Sequence, residues 1–197
     1  GDDPEEIQFA NNKLYTLTCR RGGLVLNDDH TGLAAGQTRT DAPDEDKLFA
    51  ILNIEGKNYM YSPVTKEFLN YQNNGQWVDA LGTPIHFSTD NADGKYLYML
   101  SVKNESGGTY YFNNNGQIVI NSWDTPDAGN RWLIEEAEDF DPTEALALAE
   151  ESFFAVTNRI LFNGQVVGEE IYKLPDGSKP PQLSSHWITD YTRITEH

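Results

Sequence analysis

Lys13-Leu14-Tyr15-Thr16-Leu17, Lys57-Asn58-Tyr59-Met60-Tyr61 and Lys95-Tyr96-Leu97-Tyr98-Met99 open three short runs of aromatic and aliphatic residues, and their starts lie 44 and 38 residues apart. Self-similarity at such a period is the mark of a repeat architecture. A second run follows each opener: Gly23-Leu24-Val25-Leu26-Asn27-Asp28, Glu67-Phe68-Leu69-Asn70-Tyr71 and Thr109-Tyr110-Tyr111-Phe112-Asn113. Each unit then closes on Leu48-Phe49-Ala50-Ile51-Leu52, Pro84-Ile85-His86-Phe87-Ser88 or Arg131-Trp132-Leu133-Ile134. Between the runs stand Arg21-Gly22-Gly23, Glu55-Gly56-Lys57-Asn58, Asn73-Asn74-Gly75-Gln76 and Asn113-Asn114-Asn115-Gly116, whose Gly and Asn supply the positive φ that tight hairpins need. Short strands at regular spacing, without helical periodicity, read as an all-β barrel or sandwich. A two-sheet sandwich imposes no threefold period, so three units of about four strands predict a pseudo-threefold barrel, a β-trefoil, over residues 12–138.

Residues 1–11 form an acidic N-terminal segment, and the texture changes again after 138. Thr143, ahead of Glu144, is placed to cap a helix through Ala145-Leu146-Ala147-Leu148-Ala149. Beyond it, Asn163-Gly164 between two apolar runs predicts a β-hairpin, and Leu174-Pro175-Asp176-Gly177 with Pro180-Pro181 predicts a turn and an extended stretch. The segment 139–197 is expected as an extension of one short helix plus a hairpin. It is too small for its own core, so it either docks on the barrel or begins a module that continues past His197.

The hydrophobic share of 38% and aromatic share of 12% suit a folded core, despite a formal net charge of −17. That field repels phosphate backbones and anionic lipid surfaces, so nucleic acid and membrane are poor partners. Cys19 is the single cysteine, which excludes an intrachain disulfide; its apolar run predicts a buried, inert thiol. No membrane span or signal peptide is visible. A start on Gly1 followed by acids reads as a mature or trimmed chain, so this gives no argument for the cytosol.

Gly116-Gln117-Ile118-Val119-Ile120-Asn121-Ser122-Trp123-Asp124-Thr125-Pro126-Asp127-Ala128-Gly129-Asn130-Arg131-Trp132-Leu133-Ile134 resembles the closing half of a ricin-B-like β-trefoil repeat, which ends in an amide, any residue, Trp, any residue and an aliphatic. Here that ending is Asn130-Arg131-Trp132-Leu133-Ile134, with Asn where Gln is usual; the other two units lack it. The chain from about residue 10 to 138 also looks like the trefoil modules attached to secreted glycoside hydrolases of gut Bacteroidetes. The resemblance implies a sugar site in the third unit. Trp123 would stack on a pyranose, with Asn121 and Asp124 as polar neighbours. One of Asn113, Asn114 or Asn115 stands where an Asp is common. Trp77, after its own Asn-rich turn, is the secondary candidate, whereas Asn130 and Trp132 would serve the core. An aromatic suits the task on physical grounds too: a flat ring covers the C–H face of a sugar and leaves its hydroxyls at the rim. The alternative for Trp123 is a plug at one end of the barrel.

Other chemistry finds no motif. His30, His86, His186 and His197 have no metal-ligand spacing, and Asp90-Asn91-Ala92-Asp93-Gly94 has only part of a calcium-loop pattern, so a solvated turn is expected there. No nucleophile elbow or phosphate loop is present, and no cofactor is implied. The expected function is therefore a non-catalytic carbohydrate-binding module of a secreted or surface protein, weakly binding glycan, with a neighbouring catalytic domain in the same polypeptide as a partner. The alternative is a trefoil spacer or protein-interaction domain without sugar sites.

Overall fold

The computed structural model describes residues 6–175 and 190–196. The chain divides into two units, Gly1–Leu146 and Ala147–His197. It is mostly β, with a nearly closed barrel-like sheet and one short α-helix among the described residues.

The first unit holds β1 (Lys13–Cys19), β2 (Gly22–Leu26), β3 (Leu33–Ala35), β4 (Phe49–Ile54), β5 (Lys57–Ser62), β6 (Glu67–Asn70), β7 (Gln76–Val78), β8 (His86–Thr89), β9 (Tyr98–Lys103), β10 (Thr109–Asn114), β11 (Ile118–Asn121) and β12 (Leu133–Asp139). All pairings are antiparallel. β1 is flanked by β12 and β4, β4 pairs with β5, and β8 with β9. Two contacts narrow the remaining gaps. The Ile85 N–H donates to Asn58 O at 2.8 Å, just ahead of β8, and Tyr98 and Trp132 exchange backbone bonds of 2.9 and 2.8 Å between β9 and the start of β12. Three hairpins, β2–β3, β6–β7 and β10–β11, hang from this ring.

Turn chemistry sets the register. Between β4 and β5, Glu55 and Gly56 both take positive φ (50° and 81°), the two-residue turn whose twist matches the flanking strands. Strand alternation then sends Tyr15, Leu17 and Cys19 of β1 inward, with Phe49, Ile51, Met60, Phe87, Leu100, Phe112 and Trp132 filling the core. Each sequence run contributes a strand, although Asn27-Asp28, Pro84-Ile85 and Arg131 lie outside β2, β8 and β12, and the third opener starts late. Lys95 and Tyr96 lie in a turn, where Arg20 and Lys95 sit over the Tyr96 ring at 4.9 and 5.5 Å, and β9 begins only at Tyr98.

The turn at 90–94 is more than a solvated loop. Arg131 holds Asp90 through Nε (3.0 Å to each oxygen) and Nη2 (2.9 Å), and Arg20 holds Asp93 at 2.5 Å. Both carboxylates serve arginines.

Cys19 is buried, its thiol donates to Gly22 O at 3.3 Å, and burial pushes its pKa up. A neutral, covered thiol reacts slowly. Iodoacetamide should therefore modify Cys19 at least about tenfold more slowly in the native protein than in urea-unfolded protein, as read by mass spectrometry. Equal rates would place the thiol at the surface.

The expected barrel boundary at 138 is passed by chain that belongs to the first unit. The Phe140 N–H donates to Asn12 O at 2.9 Å, and its ring packs on Tyr61 at 6.0 Å. The division falls inside α1 (Thr143–Glu150). Its N-terminal cap differs from the expected one: Asp141 accepts from the Thr143 N–H (3.0 Å) and hydroxyl (2.7 Å), so the carboxylate two residues earlier takes that role.

In the second unit β13 (Phe153–Phe162) and β14 (Gln165–Pro175) form the expected hairpin about Asn163-Gly164, both at positive φ. β15 (Asp190–Glu196), absent from the expected elements, pairs along the other edge of β13. Asp176-Gly177, Pro180-Pro181, His186 and His197 lie outside the described residues, as do residues 1–5 of the acidic N-terminal segment.

Candidate functional site

The β10–β11 hairpin builds the site. In an antiparallel pair, residues directly opposite project to the same face, and so do residues two apart on one strand. Tyr111 pairs with Asn121, so Tyr111, Asn113 and Asn121 share a face. Contacts bear this out: Asn113 Nδ2 donates to Asn121 Oδ1 at 3.0 Å, to Tyr111 O at 3.0 Å and to Trp123 O at 3.3 Å. Asn121 Oδ1 also accepts from the Trp123 N–H at 3.0 Å. Two amides thus fix the backbone from which the indole projects.

Trp123 is 51% exposed. It is not a plug in the barrel. Its ring is nonetheless held, because Nε1 donates to Asp127 Oδ2 at 2.9 Å. Asp127 is itself fixed: its Oδ1 accepts from Gly129 N–H (2.7 Å), and its own N–H donates to Asn130 Oδ1 (3.0 Å). Asn130, buried, reaches back with Nδ2 to Thr125 O at 2.8 Å. Arg131, only 3% exposed, donates through Nη1 to Asn130 Oδ1 (3.1 Å) and through Nη2 to Asp124 O (3.4 Å), and its remaining donors face Asp90. The loop 122–130 is therefore tied through its own polar groups to Asp90, 41 residues away from Arg131. The Arg131 guanidinium holds the Asp90 carboxyl below the usual carboxylate range.

Two acceptors near Trp123 in the hairpin and its loop have no partner among the described residues. The Asp124 carboxylate is exposed and makes no hydrogen bond or ion pair among the described residues. Asn113 is 7% exposed, and its Oδ1 has no partner although Nδ2 has three. A buried acceptor without a partner is uncommon enough to need an explanation, and this one lies beneath the residue that anchors Trp123.

The structure separates the other candidates from this group. Asn115 is exposed at the hairpin turn, where its Oδ1 accepts from the Gln117 N–H at 3.3 Å. That turn is at the opposite end of the ladder from the Tyr111–Asn121 pair, roughly 10 Å away at 3.3 Å per residue. Asn114, between them, is fully buried and locked in a reciprocal amide pair with Gln37, at 3.0 and 2.6 Å. Trp77 is 7% exposed. It lies flat on Phe49 (centroids 5.7 Å, interplanar angle 4°), and its Nε1 donates to Gly32 O at 2.9 Å. The expectation of a second open ring there is corrected: Trp77 closes the core and has no face for a ligand. Trp132 and Asn130 are buried, as core roles require.

Sequence reading missed Asp127, Arg131 and Asp90, the groups that hold the ring. Asp127 lies four residues past Trp123 and was open to suspicion; Asp90 comes from another part of the chain and was not.

No protein-family model matches the sequence. No curated protein sequence matches it either. Among solved structures, the GlcNAcα1-4Gal-releasing endo-β-galactosidase from Clostridium perfringens is similar, with a TM-score of 0.50 and 12% identity. The match covers 64% of this chain and 33% of that one, so this chain corresponds to about a third of that enzyme's length. At that identity the likeness is one of fold.

Proposed function

We propose that the chain is a non-catalytic carbohydrate-binding module, that its barrel is a ricin-like β-trefoil, and that one shallow site centred on Trp123 does the binding. The observation that carries this reading is a half-exposed indole whose backbone and ring edge are both fixed by side chains. Pre-organisation of this kind lowers the ordering cost of binding. A pyranose stacks its C–H face on the indole, and Asp124 accepts from hydroxyls at the rim. The trefoil reading is supported by the ring of strands β1, β4, β5, β8, β9 and β12 with three hairpins on it.

A single site of this kind binds in the millimolar to micromolar range, so useful affinity comes from attachment to other sites. We place the module on a secreted or surface protein beside a catalytic domain of the same polypeptide; the similarity to part of a longer glycosidase supports that arrangement. Trp77, sealed in the core, favours the second reading for the rest of the barrel, which would act there as spacer.

The test is a glycan array probed with wild-type protein and with Trp123→Ala. Wild type should retain a defined subset of glycans, and the variant should lose at least about tenfold in affinity, 1.4 kcal/mol, with its melt shifted by no more than about 0.5 kcal/mol. Retention by the variant would move the site elsewhere; no retention by wild type would leave the spacer reading.

A further inference from the structure

A groove of about 620 Å³ lies on β8, β9 and the start of β10, lined among others by Lys57, His86, Ser101, Lys103, Thr109 and Tyr111. Tyr111 joins it to the site already described. That residue lines the groove and stands opposite Asn121, whose Oδ1 fixes Trp123. The groove therefore begins at the base of the platform.

Its charge is unlike the rest of the surface. The chain carries 31 acidic and 14 basic residues, and most lysines and arginines are neutralised by a carboxylate. Among the residues whose side chains are described, Arg21, Lys57, Lys95 and Lys103 have no carboxylate partner. Arg21 is committed to Asn114 O at 3.1 Å, and Lys95 sits over Tyr96 at 5.5 Å. That leaves Lys57 and Lys103, and both line this groove. Lys103 Nζ donates to the Thr109 hydroxyl at 2.7 Å, which uses one of its three N–H groups and orients the ammonium. The groove's one acid, Glu6, hydrogen-bonds to the His86 ring at 3.1 Å, so the charged lining is two lysines against one carboxylate.

Resting on the carbohydrate-binding reading, we infer that the ligand is an anionic glycan. The sugar next to the one on Trp123 carries a sulfate or carboxylate that lies in this groove between Lys57 and Lys103. Two ammonium groups give charge-assisted hydrogen bonds to such a group, and the Thr109 hydroxyl, which accepts from Lys103, keeps its own hydrogen to donate to its oxygens. The overall charge of −17 does not forbid this. Its distant acids are screened beyond about 8 Å at physiological salt, whereas the lysines act at contact.

The experiment uses the full chain on an array of matched glycans: sulfated, sialylated and uronate-containing members, each beside its neutral parent. Wild type should prefer anionic members over their parents by about tenfold or more. In Lys57→Gln/Lys103→Gln, two exposed positions whose exchange leaves the melt in place, that preference should collapse to about one. Trp123→Ala should weaken both members of each pair. Neutral parents bound as well as anionic members, or a preference that survives the double substitution, would overturn the inference while leaving the Trp123 site standing. Failure of wild type to bind any member would sink the carbohydrate reading and this inference with it.

Discussion

Truncating Trp77 to Ala should cost the barrel about 3–5 kcal/mol, the range for removing a large aromatic from a packed core. The ring is stacked flat on Phe49 and donates to Gly32 O at 2.9 Å, so its loss opens a cavity and removes a buried hydrogen bond. Trp123→Ala, by contrast, should cost no more than about 0.5 kcal/mol, because half of that ring is already in water. A urea melt followed by far-ultraviolet circular dichroism measures both. Similar losses for the two variants would mean that the division into one structural and one open tryptophan is wrong.

The second large effect is expected at Asp90. Asp90→Ala leaves Arg131 buried without its carboxylate, and breaking a buried ion pair from one side costs about 3–5 kcal/mol. The lower end, about 3 kcal/mol, applies here because Asp90 is about a third open to water and Arg131 keeps bonds to Asn130 and Asp124. The pH dependence has a definite sign. The folded-state pKa of Asp90 is depressed by the Arg131 hydrogen bonds. Its stabilisation is thus fully present above the unfolded carboxylate value, about 3.9, and is lost as pH falls through the lower folded value. The stability difference between wild type and Asp90→Ala should accordingly be constant near neutrality and shrink below about pH 4. A difference that grows in acid would contradict the assignment. Because Arg131 also ties down the loop that bears Trp123, the variant should bind glycan more weakly at neutral pH.

Local chemistry made much of the strand pattern legible. Alternating runs such as Lys13–Cys19 and Lys57–Ser62, and turns such as Glu55-Gly56 and Asn163-Gly164, carry their conformation in a few adjacent residues. Lys95-Tyr96 looked like the other openers and became the end of a turn, in which the Tyr96 N–H closes on Asp93 O at 2.9 Å across Gly94 at positive φ (53°). β15 was legible only in part: Tyr191, Thr192, Ile194 and Thr195 favour a strand, while the partner that completes its ladder, β13, is remote in sequence. The two tryptophans show the limit for the site. Trp77 and Trp123 both follow polar, asparagine-containing stretches, and only tertiary packing sends the first onto Phe49 and leaves the second in solvent. Asn113, Asn121 and Trp123 were legible as a group because one hairpin places them together, while Asn115 failed for the same ladder geometry, being at its far end. The restraint from Asp90 crosses 41 residues and has no local trace.

The central claim is that a glycan rests on the Trp123 ring. The most direct test follows the indole N–H resonances in a ¹⁵N-correlation spectrum while the highest-ranking array glycan is titrated in, with the Trp123 signal identified by its loss in Trp123→Ala. A dose-dependent shift of the Trp123 signal, with the signals of buried Trp77 and Trp132 unmoved, is the expected result. Saturating glycan that leaves the Trp123 signal in place would contradict the account.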